Sequence, residues 1–295
     1  MKYKLLTTCV AVALLAGCGS DNDNDATTGV QAYDGAIRGI SGSYTCEDGT
    51  SGAIPATGSD GFAYVSGATA VESPNTCSFT FNPTAGAVDM SNGKDMSAVE
   101  LSIPRGLAEG SRVQATPFTT LVSRKMEETG ATTYDESTAI EVLNDLGLGD
   151  LTNQGVTISQ IMTDLDSVIT QVKQSNPALG AQLVATTHIL SDVLTTNVTD
   201  TTQISNASQN LAKKTVAANP NYPTSQSGGD VVVDVKDYDM SSVTDEVLDD
   251  TAIDNLEDVP EQEAEPVDET PTGGGGTGGT GGTGSTGGAG GTSGA

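Results

Sequence analysis

From residue 30 to residue 124, apolar and polar positions alternate in short runs: GAIRGI, SYTCED, GFAYVSG, CSFTFNP, AVELSIPRG and VQATPFTTLVS. The runs are rich in β-branched and aromatic side chains and are separated by Gly, Pro, Asn or Asp, the pattern of short strands joined by turns. Tyr33, Tyr44, Phe62, Tyr64, Phe79, Phe81 and Phe118 all fall here, seven of the eleven aromatics in the chain. That concentration suits the core of one small β-sandwich, so residues 30–125 are expected to form an immunoglobulin-like module.

From about Asp135 the period lengthens to three and a half. DESTAIEVLNDLGLG sets Ala139, Val142, Leu143 and Leu146 on one face, with Asp135 placed to cap the start and Gly147 the end. In TISQIMTDLDSVITQVK the apolar residues Ile158, Ile161, Leu165, Val168 and Val172 recur at spacings of 3, 4, 3 and 4, behind a capping box of Thr157 and Gln160. ALGAQLVATTHILSDVLTTN and TQISNASQNLAKKTV complete the set, the latter with a thin apolar face. Residues 134–218 are therefore expected to form a small helical bundle, making the fold α+β.

The last zone reads differently. Residues 230–269 hold sixteen acids and one base, Lys236, with sparse apolar positions. Residues 226–270 are expected to be an acidic disordered segment, and residues 271–295 a Gly/Thr-rich low-complexity tail. Asp234, Asp237 and Asp239 cluster in DVKDYDM, but they lack the spacing and distal glutamate of a calcium loop, so no metal is expected there.

At the other end, Lys2 and Lys4 precede an apolar stretch from Leu5 to Leu15. The layout is that of a secretory signal, and the stretch is too short to span a bilayer. It closes with Leu15-Ala16-Gly17-Cys18, which resembles the lipobox of bacterial lipoproteins. The resemblance implies that residues 1–17 are removed and that Cys18 becomes the acylated N-terminus, anchored by its lipid. Residues 18–29 would be a flexible tether. Gly19 follows the cysteine where many inner-membrane lipoproteins carry aspartate, so the outer membrane is expected, with the periplasmic face of the inner membrane as the alternative.

Charge and cysteines narrow the chemistry. The chain has 39 acids and 12 bases, a formal charge of −27, and loss of Lys2 and Lys4 with the signal takes it to −29. Nucleic acid is not an expected partner, because phosphate binding needs clustered Lys and Arg. With Cys9 in the signal and Cys18 lipidated, Cys46 and Cys77 remain, and in an oxidising compartment they are expected to form a disulfide. Two cysteines with no nearby histidine do not make a zinc site. His188 is the only histidine. On its helix it falls beside Val184 and away from Leu183, Leu190 and Leu194, a surface or packing position. The paired acids Glu127/Glu128 and Asp249/Asp250 have only polar neighbours to act on their pKa values. No catalytic residue and no cofactor is expected.

VQAYDGAIRG, DGFAYV and VQATPFTTLV, followed by a helix ending VLNDLGLGDLT, resemble a class of secreted and surface lipoproteins. In that class an immunoglobulin-like module related to carboxypeptidase regulatory domains leads into helices through a PLTTLV-like segment. Here Phe118 replaces the usual leucine, and glycines are more numerous between residues 41 and 67. The resemblance implies a non-catalytic binding or structural role and supplies no catalytic residues. Two functions follow: a lipid-anchored envelope protein binding a protein or polysaccharide in adhesion or matrix contact, or an accessory subunit of an outer-membrane transport, uptake or secretion assembly. Surface exposure would favour the first, co-purification with a membrane barrel the second.

Overall fold

The computed structural model describes residues 26–267 except Ser111 and Gln226. The expected signal, Cys18 and the Gly/Thr-rich tail lie outside the described residues. The end of the expected tether does not, and Thr28 and Gly29 already belong to the first strand.

The N-terminal part contains β1 (Thr28–Ala32), β2 (Ile37–Arg38), β3 (Ser41–Cys46), β4 (Ser51–Ile54) and β5 (Phe62–Val65), then the short helix α1 (Ala68–Glu72). It continues with β6 (Cys77–Asn82), β7 (Val88–Asp89), β8 (Leu101–Ile103) and β9 (Arg112–Ala115). One sheet has the order β4-β3-β6-β8, a second β5-β1-β9 with β1 and β9 parallel, and β2 pairs with β7. Period-two alternation is visible in β6, where Cys77, Phe79 and Phe81 are buried and Ser78 and Thr80 are not. Cys46 and Cys77 pair directly across β3 and β6 and are joined by a disulfide. Gly42 is required in β3, because a Cβ there would collide with the backbone of Thr80.

The expected β-module runs too far. Of its last run, VQATPFTTLVS, the start lies in β9 and PFTTLVS belongs to the helix α2 (Pro117–Thr129). Its β-branched residues suggest a strand, but the start is built for a helix: Thr116 and Thr119 form a reciprocal capping box and Pro117 sits in the first turn. Phe118, Leu121, Val122 and Met126 then bury one helical face.

The helices follow the expected periodicity: α3 (Glu136–Asp145), α4 (Ile158–Thr163), α5 (Leu165–Ser175), α6 (Pro177–Val193) and α7 (Thr201–Ala218). Asp135 caps α3, and the Thr157–Gln160 box caps α4. The single helix expected from 158 to 172 is broken at Asp164, where the backbone leaves helical geometry. The break hands the Leu165 N–H to the Gln114 side chain at 2.9 Å, tying α5 to β9. One continuous buried cluster runs from Val30 through the helices to Val243, so the β-rich and helical parts share a core.

Disorder of the whole acidic segment is overturned. Residues 227–267 contain β10 (Val231–Val233), α8 (Asp250–Asp254) and β11 (Glu261–Glu263), with β10 and β11 paired antiparallel. Val232, Val233, Val235, Val243 and Ile253 are buried. The physical reason lies in α7, whose apolar face is thin because its polar residues hold this segment. Asn210 donates to the carbonyls of Val243 and Glu246 and accepts from Leu248 N–H, and Asn206 donates to Thr244 O. The segment's backbone finds its partners on the helix, so few apolar residues suffice to dock it.

Candidate functional site

Between β1 and β2 the chain reverses in two residues, Asp34 and Gly35, with Tyr33 and Ala36 bridged across the turn. Gly35 has φ +89°, as such a turn requires of one of its residues. A Cβ there would also meet the Asp89 carboxylate and the Ser91 hydroxyl. An aspartate at a hairpin tip usually faces water. Here the turn is packed beneath α6, and Asp34 is only 2% exposed.

Asp34 lines a cleft of about 450 Å³ at the meeting of the β-rich part, α5, α6 and the C-terminal segment. Tyr33 and Asn92 come from the β-rich part, Asp166, Ile169 and Lys173 from α5, and Val184 and His188 from α6. Asp230, Val231 and Ala264 of the C-terminal segment close the remaining side.

A buried polar junction holds these walls together. Lys94 Nζ donates to Asp192 of α6 at 2.8 Å and to the carbonyl of Val233 in β10 at 2.8 Å. Asp192 accepts in turn from Val235 N–H at 2.9 Å. Both Lys94 and Asp192 are buried, and the single ion pair joins three distant parts of the chain. Tyr33 adds a strut by donating to Asp166 of α5 at 2.7 Å. Burial, and then this hydrogen bond to a carboxylate, push the Tyr33 phenol far above its ordinary value.

His188 is half-buried in the cleft wall, with Nδ1 2.8 Å from the Tyr222 hydroxyl. That hydroxyl accepts from Val233 N–H, so its own proton is available to His188 Nδ1. Burial, helped by the positive charges of Lys94 and Lys173, brings the imidazole down to about 3. A neutral ring accepting at Nδ1 carries its proton on Nε2.

The acids are differently placed. Asp89 accepts from the Ser91 hydroxyl at 2.7 Å and from the Asn92 amide at 2.8 Å, yet its burial still raises the carboxyl. Burial likewise raises Asp192 against the attraction of Lys94. Neither oxygen of Asp34 has a hydrogen-bond partner among the described residues. The Ser191 hydroxyl faces it without reaching bonding geometry and is itself unpartnered. Burial, opposed by Lys94 and reinforced by Asp89, holds the Asp34 carboxyl well above the usual range.

Sequence reasoning did not single out Asp34, Lys94 or Asp192. One signal was available: Asp192 stands in a helix whose residues from Leu183 to Val193 are almost all buried, and a charge there needs a partner. His188 is less peripheral than its helical position suggests, because the turn after α7 brings Tyr222 against it, where the Tyr222 hydroxyl also accepts from Val233 N–H. The other candidate acids have local duties. Asp239 caps a turn at Ser241, Asp234 accepts from Lys236 N–H, Asp249 caps α8, and Glu128 accepts from Thr201 N–H at the start of α7. Among the described residues no group of three or more His, Cys, Asp or Glu side chains is arranged to hold a metal ion, and no helix is long and apolar enough to cross a membrane.

Comparison of the chain with protein-family models, with curated proteins and with solved structures finds no match in any of the three.

Proposed function

We propose that this chain is a lipid-anchored protein of the outer membrane that binds a polysaccharide through the cleft beneath α6 and carries out no covalent chemistry on it. The observation that carries the reading is the cleft itself. It is concave, it is walled by four parts of the chain, and it sets polar residues Tyr33, Asp166 and His188 beside the apolar residues Ile169, Val184 and Val231. A sugar ring asks for that combination, hydrogen bonds at its rim and apolar contact on its face, whereas a protein partner more often covers a broad, flat area. The anchor rests on Leu15-Ala16-Gly17-Cys18. We read the two N-terminal sheets as an immunoglobulin-like sandwich and the helices as a bundle packed on it; in support, side chains of both sheets and of α2 to α7 enter one core.

Cys18→Ser should leave an unprocessed precursor or release the protein from the membrane fraction, and mature membrane-bound material would overturn the anchor. Crosslinking in intact cells should capture glycan at peptides around residues 31–36 and 184–188. Capture of a membrane barrel at those peptides would replace the reading with an accessory role in transport or secretion.

A further inference from the structure

The outer face of the β5-β1-β9 sheet carries exposed side chains that the core does not use. The inner face is buried through Val30, Ala63, Val65 and Val113. On the outer face, period-two alternation sets Tyr64, Gly29 and Arg112 side by side across the three strands, with Phe62, Gln31 and Gln114 in the next row. Gly29 makes the room, because a Cβ there would stand 3.3 Å from the Phe62 ring and 3.4 Å from the Tyr64 ring. The two rings lie 6.3 Å apart and 20° from parallel, and the Arg112 guanidinium carbon is 5.0 Å from the Phe62 centroid. Arg112 is exposed and has no ion pair among the described residues. Tyr64 is 53% exposed, and among the described residues it is the one aromatic beside Ile140 and Val247 as an exposed large hydrophobic. Tyr64 and Arg112 flank Gly29, and Cys18 stands only eleven positions before that glycine. Eleven residues reach at most about 40 Å, so a lipid on Cys18 keeps this face close to the headgroups, at an effective concentration of about millimolar order.

We infer that the face formed by Phe62, Tyr64 and Arg112 docks on the phospholipid headgroups beside the anchor, with the two rings entering the headgroup layer and Arg112 meeting lipid phosphate. The inference rests on acylation of Cys18 and goes beyond it, since a lipid alone leaves the folded body free to turn. Tyrosine supplies an apolar ring and a polar hydroxyl where a membrane interface calls for both. A guanidinium stacked on a ring keeps N–H donors for a phosphate, which it meets with two parallel hydrogen bonds. The contact is small and acts only with the lipid holding it in place. The chain's formal charge of −27 repels it from anionic surfaces, so the partner is a zwitterionic phospholipid. β1 runs from this face at Gly29 to the cleft at Gln31, and docking fixes how the cleft stands relative to the bilayer.

The chain has no tryptophan, so Tyr64→Trp installs a single fluorescent probe in the face and Ile140→Trp one on α3 for comparison. The full chain is purified from membranes, its N-terminal peptide is weighed for the acyl groups, and it is placed in phosphatidylcholine nanodiscs carrying spin-labelled headgroups. Tyr64→Trp emission should shift to the blue and be quenched at least about threefold more than that of Ile140→Trp. Arg112→Glu added to Tyr64→Trp should lower the ratio of docked to free body about fivefold while leaving the melting temperature within about 2 °C. Equal quenching of the two tryptophans in acylated protein would overturn the docking face and leave the anchor standing. An N-terminal peptide without acyl mass would overturn the anchor and the docking face with it. Tyr64→Trp emission that ignores the lipid label but shifts with an N-acetylglucosamine tetramer would overturn the lipid contact and assign the face to the polysaccharide. If Tyr64→Trp fails to fold, Ser66→Trp, two positions on and exposed, gives the same reading.

Discussion

Asp34 and Gly35 form a two-residue turn, for which Asp-Gly is a well-suited pair, but the burial of the Asp34 carboxyl comes from α6 packed beside it. Its raised pKa gives a pH signature. A carboxyl whose folded value lies above its unfolded value destabilises the fold once both forms ionise, and the penalty fades as pH falls through the folded value towards the unfolded one. Asp34→Asn should therefore raise the melting temperature most at pH 8 and progressively less on acidification, converging with the parent near pH 4, about the unfolded value of aspartate. Melting curves of both proteins across that range check it, and a gain that grows on acidification would contradict it. His188 moves the parent curve the other way. Its depressed value means that stability present above the ordinary histidine range is lost as pH falls, so the comparison must be of variant against parent at each pH.

Among the elements, the strands joined by the disulfide carry the clearest energetic consequence. Cys46 and Cys77 are 31 positions apart, and closing a loop of that length stabilises by about 3 to 4 kcal/mol in the chain-entropy model. Reduction should lower the melting temperature by about 10 °C for a folded body of this size. The thiols should resist alkylation until the bond is reduced, and ready labelling of both in freshly exported protein would show that the bridge does not form. Element type was legible wherever local chemistry and periodicity agreed, as at Asp135 and Thr157. At Pro117 they disagreed, and the capping box with a first-turn proline outweighed β propensity. At Asp164 the 3,4,3,4 spacing ran through a break that only the Gln114 side chain across the interface explains.

Across the whole molecule, the C-terminal segment is a strap that completes the core and the cleft. It buries five aliphatic side chains, accepts Lys94 at Val233 and returns at its end to the β-rich part, where Glu265 N–H bonds Asn92 O. Deleting residues 230–295 would strip those side chains, each worth about 1.5 to 3 kcal/mol when fully buried, and would leave Lys94 and Asp192 without their backbone partners. The truncated protein should melt more than about 10 °C below the full chain. A loss of only a degree or two in a thermal scan would mean that the strap adds nothing to the fold.

The sequence by itself determined what depends on near neighbours: the alternating strands and the capped helices. These follow from backbone geometry and from side chains within a few positions of one another. The tertiary structure alone decided the rest. Sixteen acids in forty residues look like unfolded chain, because composition counts charge and cannot count hydrogen bonds offered by α7, more than thirty residues away. The cleft is invisible for the same reason. Asp34, Lys94, Asp192, Tyr222 and Val233 are spread over some two hundred positions, and only the shared core brings them within reach of one another.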